Sequence, residues 1–327
     1  MSRKWSRRRF LPLAGGAAAM GAAGCGRGPR RGTGAEARVA VLKAASYSQD
    51  LVDVLVRGAA LCGLDVRGKR VLLKPNLVEF DSGAGINTDV ALVGAAIEMC
   101  RRLGAAEVRI GEGPGHRRDT LFLAEAAGYR GRLEGFDQRF VDLNRDDVSP
   151  VAGFADKGRI YLPNSALGAD LIISLPKMKT HHWVGATLAM KNLFGLVPGG
   201  VYGWPKNLLH YVGIPRSIVE LNRIFRRTFA IVDGIVGMEG NGPIQGKPRS
   251  CGVVVMGSDL VAVDATCCRI MGIDPEQVEY LNMAAALGQV DAGRIRQMGE
   301  RPAAVRQDFL LIDEFRHVRL RGIPARI

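Results

Sequence analysis

DLIISL, residues 170–175, is the stretch on which the fold turns. Leu171, Ile172, Ile173 and Leu175 leave no polar face along the run, so the strand it predicts is covered on both sides. A strand of that kind belongs inside a sheet flanked by helices. The pattern on either side agrees. Upstream, short β-branched or aliphatic runs at 39–42, 70–73, 108–111 and 140–143 alternate with amphipathic stretches at 49–62, 89–103 and 120–127, which Gly63, Gly104 and Gly128 close. Downstream, 229–232 and 252–256 read as strands, and 259–271 and 275–287 as helices. Residues 206–226 read as one long helix kinked at Pro215. This alternation predicts an α/β fold: a mostly parallel sheet with helices on both faces, an inserted segment near 195–228, and one domain over 39–327. No unit of roughly 20–50 residues repeats, which sets solenoids aside.

The 327 residues are 47% hydrophobic and 24% charged, the balance of a globular chain rather than a disordered or fibrous one. A formal charge of +13 on a folded face would point to nucleic acid. Its location argues otherwise. Residues 1–24 carry five net positive charges and residues 25–38 three more, so the folded part keeps five. No basic helix interleaved with aromatics is present, and nucleic acid is not an expected partner.

Residues 1–24 have the form of a twin-arginine signal peptide. Ser6-Arg7-Arg8-Arg9-Phe10-Leu11 sets paired arginines ahead of a mild Ala/Gly stretch, too short and too weakly apolar for a stable membrane span. Gly21-Ala22-Ala23-Gly24-Cys25 follows the pattern of a lipobox, with Ala22 where Leu is usual. Cys25 is therefore the expected lipidation site; a plain cleavage site with an incidental cysteine is the alternative. Residues 25–38 read as a flexible tether. The expectation is a chain exported folded through the twin-arginine translocation machinery and held by its lipid at a periplasmic or outer membrane surface.

Beyond Cys25 the cysteines are Cys62, Cys100, Cys251, Cys267 and Cys268. None forms a C-x-x-C pair, so no iron–sulfur or zinc motif announces a cofactor, whose identity stays unknown. GEGPGH (111–116) lacks the spacing of a phosphate-binding P-loop, and neither G-x-S-x-G nor H-E-x-x-H occurs.

In an open parallel sheet, ligands bind beyond the carboxyl ends of the strands. Polar or Gly-rich clusters stand at five such ends: Lys74-Pro75-Asn76, GEGPGH, KMKTHH (177–182), Asp233-Gly234 with EGNGP (239–243), and Ser258-Asp259. Lys74, Lys177, Lys179 and Lys191 can converge as ammonium donors on a carboxylate or phosphate. For each lysine alone, a solvated surface charge is the plain alternative. Gly113 and Gly115 would let backbone N–H groups approach the anion. Adjacent His181 and His182 would point to opposite faces of a strand, one for acid–base work or a metal and the other for packing. Asp233, Glu239 and Asp259 can serve as general base or hard-metal ligands, or as caps and turns. Thr187 and Asn192 complete the polar set. Trp183, Tyr202 and Trp204 flank it, either as a lid or as anchors of a surface loop.

KPNLV (74–78), LPKMKTHHWVGATLAMKNLFG (175–195), DGIVGMEGNGP (233–243) and GSDLVAVDA (257–265) resemble the domain-of-unknown-function family numbered 362, over about residues 39–290. The resemblance implies the fold and leaves the reaction open. Many members of that family carry ferredoxin-type cysteine clusters, which this chain lacks, so no electron-transfer role is implied. A more distant likeness is to the lactate racemase type of α/β protein. The function expected from all this is an enzyme acting on a small anionic substrate, with lysines as clamp and His181, Asp233 and Lys177 as catalytic groups. The alternative is a tethered binding protein for an anionic ligand or metal.

Overall fold

Twelve strands are formed within residues 36–81, 83–115 and 119–321, the part of the chain that the computed structural model describes. The signal peptide, Cys25, most of the tether and His116 lie outside these residues. The strands are β1 (Ala37–Lys43), β2 (Arg70–Pro75), β3 (Glu107–Glu112), β4 (Phe140–Asp142), β5 (Val148–Ala152) and β6 (Arg159–Pro163). They continue with β7 (Leu171–Leu175), β8 (Lys177–His181), β9 (Gly185–Thr187), β10 (Thr228–Asn241), β11 (Gln245–Gly257) and β12 (Ile295–Gly299). Because β1 begins at Ala37, the tether expected to reach residue 38 stops short of it.

The main sheet runs β12-β1-β11-β10-β7-β2-β3-β4, with β7 near its middle as DLIISL requires. Neighbours along it pair in parallel except at β11, which is antiparallel to both β1 and β10. β8 follows β7 after Pro176, pairs with β10 in parallel and carries β9 antiparallel at its side. β5 and β6 form a separate hairpin.

The central strands are buried on both faces, and period-2 alternation divides them between two cores. Val39, Val41, Leu72, Ile172, Val253 and Val255 face one core, which the helices Ile214–Ile224 and Leu260–Ile270 cover. Ala40, Leu42, Val71, Ile173, Val254 and Met256 face the other, under the helices Leu51–Cys62 and Val90–Arg102. Asp50, Asp89 and Asp259 cap three of these helices by accepting the Asp53, Ala91 and Ala262 N–H groups.

Three expectations need correction. The helix expected over 206–226 is two, Asn207–Val212 and Ile214–Ile224, because Pro215 starts the second in its first turn rather than kinking one. The helix expected over 275–287 is a 3₁₀ turn, Pro275–Gln277, and a short helix, Glu279–Met283. The strands expected at 229–232 and 252–256 are the inner halves of a long hairpin, β10–β11, joined by residues 242–244. So short a connection can only reverse the chain. The carboxyl end of β11 therefore points away from the others, which bears directly on Asp259.

Candidate functional site

The carboxyl ends of β2 and β3, the end of β8, and the segment after β9 enclose a cavity of about 380 Å³. Lys74, Lys179, Lys191 and Lys206 line it, with Glu112 as the one carboxylate among the described lining residues. His181, His182 and His210 stand along the same wall.

Lys74 and Glu112 form a buried pair on neighbouring strands. The Lys74 ammonium donates to Glu112 Oε2 at 2.7 Å, to the Pro75 carbonyl at 2.6 Å and to Asn192 Oδ1 at 3.2 Å, so its three hydrogens are used. Glu112 also accepts the Leu77 N–H at 2.9 Å and the Gly113 N–H at 2.8 Å. This pair neutralises itself. Burial nonetheless pulls Lys74 below its ordinary range, against the pull of Glu112.

The other three cations have no carboxylate partner among the described residues. Lys179 donates to the Ile86 and Pro243 carbonyls at 3.0 and 3.3 Å. Lys206 donates to the Gly113 and Phe194 carbonyls, and its own backbone sits at φ 71°, a left-handed conformation unusual for a side-chain-bearing residue. Lys191 lies over the Phe194 ring at 4.9 Å from its centroid and makes no hydrogen bond or ion pair among the described residues. Burial lowers Lys191 to about 8, with Lys74 adding repulsion, and lowers Lys206 to about 7. Lys179 is pushed well down by burial and by repulsion from Lys191 and Lys177. Two further polar atoms of the lining, Asn76 Oδ1 and Thr187 Oγ1, are buried with no partner. A buried hydroxyl or amide without a partner costs on the order of 1–3 kcal/mol. Unpaired cations and unpaired dipoles around one void are the arrangement a polar anion would complete.

The two histidines present different nitrogens. His181 Nδ1 accepts the Trp183 N–H at 3.0 Å, so in the neutral ring Nε2 carries the proton. Burial, then Lys191, holds His181 far below the ordinary histidine range and keeps it neutral. His182 Nδ1 lies 2.7 Å from the Gly242 carbonyl and donates to it, so in the neutral ring the lone pair is on Nε2. The expectation that the two rings face opposite ways fails because β8 ends at His181; their centroids are 5.0 Å apart and both line the cavity. Trp183, 58% exposed, stands edge-on to His182 and His210 at the mouth.

Of the residues singled out in the sequence, Lys74, Asn76, Gly113, Gly115, Lys179, His181, Thr187, Lys191 and Asn192 line this cavity. Asn192 is a brace rather than a free donor: its amide bonds the Lys74 carbonyl and Ser174 Oγ at 2.9 and 3.1 Å. Gly113 is no anion nest, since its N–H is given to Glu112. It is glycine because a Cβ there would lie 2.7 Å from the Gly195 carbonyl oxygen.

Four expected site residues stand elsewhere, as does the flanking Tyr202. Lys177 pairs with Asp233 at 2.8 Å, both buried, and Tyr47 bonds to each at 2.9 and 2.8 Å. Asp233 also takes the Asp89 N–H at 3.0 Å. Alternation along β8 puts Lys177 on the same side as Lys179 and His181, but it is spent on Asp233 and outside the cavity lining. Glu239 accepts the Leu310 N–H at 3.0 Å and holds a C-terminal segment to β10. Asp259 caps the helix Leu260–Ile270 and takes the Gln289 N–H at 2.9 Å, at the end of the sheet opposite the cavity, as the direction of β11 dictates. Tyr202 anchors a surface segment, its hydroxyl accepting the Tyr161 N–H at 2.7 Å.

Glu112, Lys206 and His210 were not among the expected site residues. Glu112 was legible as the acid of GEGPGH at a strand end; nothing local marks Lys206 or His210. Behind the site, Asp264 is fully buried and accepts the Ala189 and Met190 N–H groups at 2.8 and 3.2 Å and the Tyr280 hydroxyl at 3.2 Å. It thereby fixes the turn Ala189–Asn192 that carries Lys191.

Among the described residues no group of three or more His, Cys, Asp or Glu is arranged to hold a metal, and no helix is long and apolar enough to cross a membrane.

Residues 71–269 match the family described as Domain of unknown function (DUF362). A protein of Synechocystis sp. called thylakoid-associated is 31% identical over 227 residues, 68% of either chain. The lactate racemase apoprotein of Thermoanaerobacterium thermosaccharolyticum is similar with a TM-score of 0.46 and 15% identity, covering 73% of this chain. This chain spans 57% of that protein's length.

Proposed function

We propose, from the premise that this chain belongs to the domain-of-unknown-function family DUF362, that it is an enzyme acting on a small anionic substrate, a carboxylate or phosphate, held in the lysine-lined cavity. One observation carries the reading: three lysines that border the cavity, Lys179, Lys191 and Lys206, bond to no carboxylate among the described residues. Isolated cations at poorly solvated positions are expensive unless something neutralises them, and a bound anion would do so for Lys179 and Lys206, which are buried, and for half-buried Lys191. Lys191, whose ammonium makes no hydrogen bond among the described residues, is the anchor. The protonated Nε2 of His181 is a neutral donor beside it, and the free Nε2 of His182 is the proton-transfer group, since its tautomer is set by Gly242.

The same proposal includes export folded by the twin-arginine route and attachment at a periplasmic or outer membrane surface through a lipid on Cys25. A tethered binding protein is the second reading. It is favoured by one fact: the cavity's only described carboxylate, Glu112, is committed to Lys74 and is no acid–base partner for His182.

Thermal melting of the full chain against a panel of small carboxylates and phosphates separates these readings, followed by NMR of each stabilising anion in heavy water. An enzyme raises its melting temperature with at least one anion and then changes it, by deuterium exchange or product formation, and His182→Ala stops the change. Stabilisation without any chemical change points to the binding protein. No stabilisation by any anion removes the anion site altogether.

A further inference from the structure

We infer that the ligand of this cavity is a dianion joined to an apolar body, an inference that rests on the anion-site reading above and sharpens it. Charge comes first. Lys74 and Glu112 cancel, which leaves Lys179, Lys191 and Lys206 around a space that holds no other described carboxylate. Burial and mutual repulsion pull all three below the ordinary lysine range, so it is the bound anion that must hold their protons on, and one negative charge offsets less of the repulsion among three clustered ammonium groups than two do. A doubly charged head, phosphoryl or dicarboxylate, matches it.

Donor count agrees. Lys191 offers three hydrogens, and Lys179 and Lys206 each spend two on carbonyls. Thr187 Oγ1 is buried and unbonded, and His181 presents an N–H. Free acceptors are fewer: Asn76 Oδ1, His182 Nε2 and, in the neutral ring, one nitrogen of His210. A wall so rich in donors calls for a ligand head rich in acceptor oxygens.

The remaining wall is apolar. Leu77, Val78, Phe194, Ile214 and Ile244 line the same cavity as the lysines and Trp183. A free inorganic dianion would fill only a part of about 380 Å³ and would leave these side chains against water. An apolar body behind the charged head covers them, with the few polar groups fixing its orientation.

Titration calorimetry on the full chain at pH 7 tests this with four probes: phenyl phosphate, phenylmalonate, phenyl sulfate and inorganic phosphate. Phenyl phosphate or phenylmalonate should bind at least about tenfold more tightly than phenyl sulfate, the same shape with one charge, and phenyl phosphate at least about tenfold more tightly than inorganic phosphate. Whichever dianion binds better identifies the head as phosphoryl or dicarboxylate. Equal affinity for phenyl sulfate overturns the dianion, and equal affinity for inorganic phosphate overturns the apolar body; either result leaves the anion site standing. Binding unchanged in Lys191→Met, or no binding of any probe, brings down the anion site itself and the inference with it. Thr187→Val, nearly isosteric, covers the case in which Lys191→Met misfolds. It should weaken the tighter dianion about tenfold, and an unchanged affinity there places the ligand outside this wall.

Discussion

Lys191 pays in stability for its place beside the cavity. Its ammonium titrates near 8, against an ordinary lysine value of about 10.4, so the unliganded fold disfavours the charged form. The sign follows from linkage: between those two values the unfolded chain binds the extra proton, and stability rises with pH through that window. The penalty is fully present below about 8. Lys191→Met should therefore stabilise the unliganded protein at pH 7, by about 1–3 kcal/mol, while abolishing anion binding. Chemical denaturation with and without ligand measures both, and a destabilised variant would mean that the ammonium is already satisfied. Ligand binding carries the opposite dependence. Anions need the protonated lysines, so affinity should fall as pH rises through about 7 to 8, where Lys206 and Lys191 lose their protons in the empty cavity. Calorimetry in buffers of differing ionisation enthalpy should register proton uptake on binding at pH 8; none would place the cavity lysines' titration elsewhere.

Short elements hold these side chains, so the site depends on how they are pinned. Gly195 passes directly over the Lys74–Glu112 pair: a Cβ there would run into Lys74 Cε and Nζ and into Glu112 Oε1. Gly195→Ala should cost about 2–4 kcal/mol, because it must either move the chain or split a buried ion pair. Thermal unfolding measures that cost, and a neutral result would mean the 193–206 segment lifts freely. The four-residue turn Ala189–Asn192 is too short to hold itself, and Asp264 anchors its first two N–H groups from the helix Leu260–Ile270. Burial raises Asp264 to about 7, so at neutral pH its charge is marginal. Asp264→Asn keeps one acceptor and the shape. It should leave the fold intact, weaken anion binding several-fold and flatten the part of the affinity's pH profile that Asp264 contributes near 7. A profile identical to wild type would reduce Asp264 to a packing role.

At the scale of the whole molecule, the sheet gathers the residues that line the cavity, and the proposed export leader is tested separately. Lysine pairs at Arg7 and Arg8 (R7K with R8K) should trap the precursor inside the cell, and Cys25→Ser should be exported but released from the membrane fraction. Cell fractionation reads both, and an exported double variant would end the twin-arginine assignment. The sheet itself was legible before any coordinates, for a physical reason. Burial on both faces writes itself into a run such as Leu171–Leu175 as an absence of polar positions, and caps and stops are local chemistry, as at Asp89 and Gly63. Strand ends rich in Lys, Gly and His likewise foretold which edge would hold the cavity, since a parallel sheet leaves its carboxyl ends open. Direction and partnership were not local. Asp259 looks like any other strand-end acid, yet one reversal at residues 242–244 carries it to the opposite edge. Lys177 and Lys179 share a face of β8, and only the position of Asp233 on β10 decides that the first is neutralised and the second is not. By itself the sequence determined the layers, the caps and the edge of the sheet where the lysine-lined cavity opens, because each is set by residues within a turn or a strand of one another. Tertiary structure decided which charges cancel and which are left facing the void, because that depends on what arrives from 38 residues away, as Glu112 does at Lys74, or from 56, as Asp233 does at Lys177.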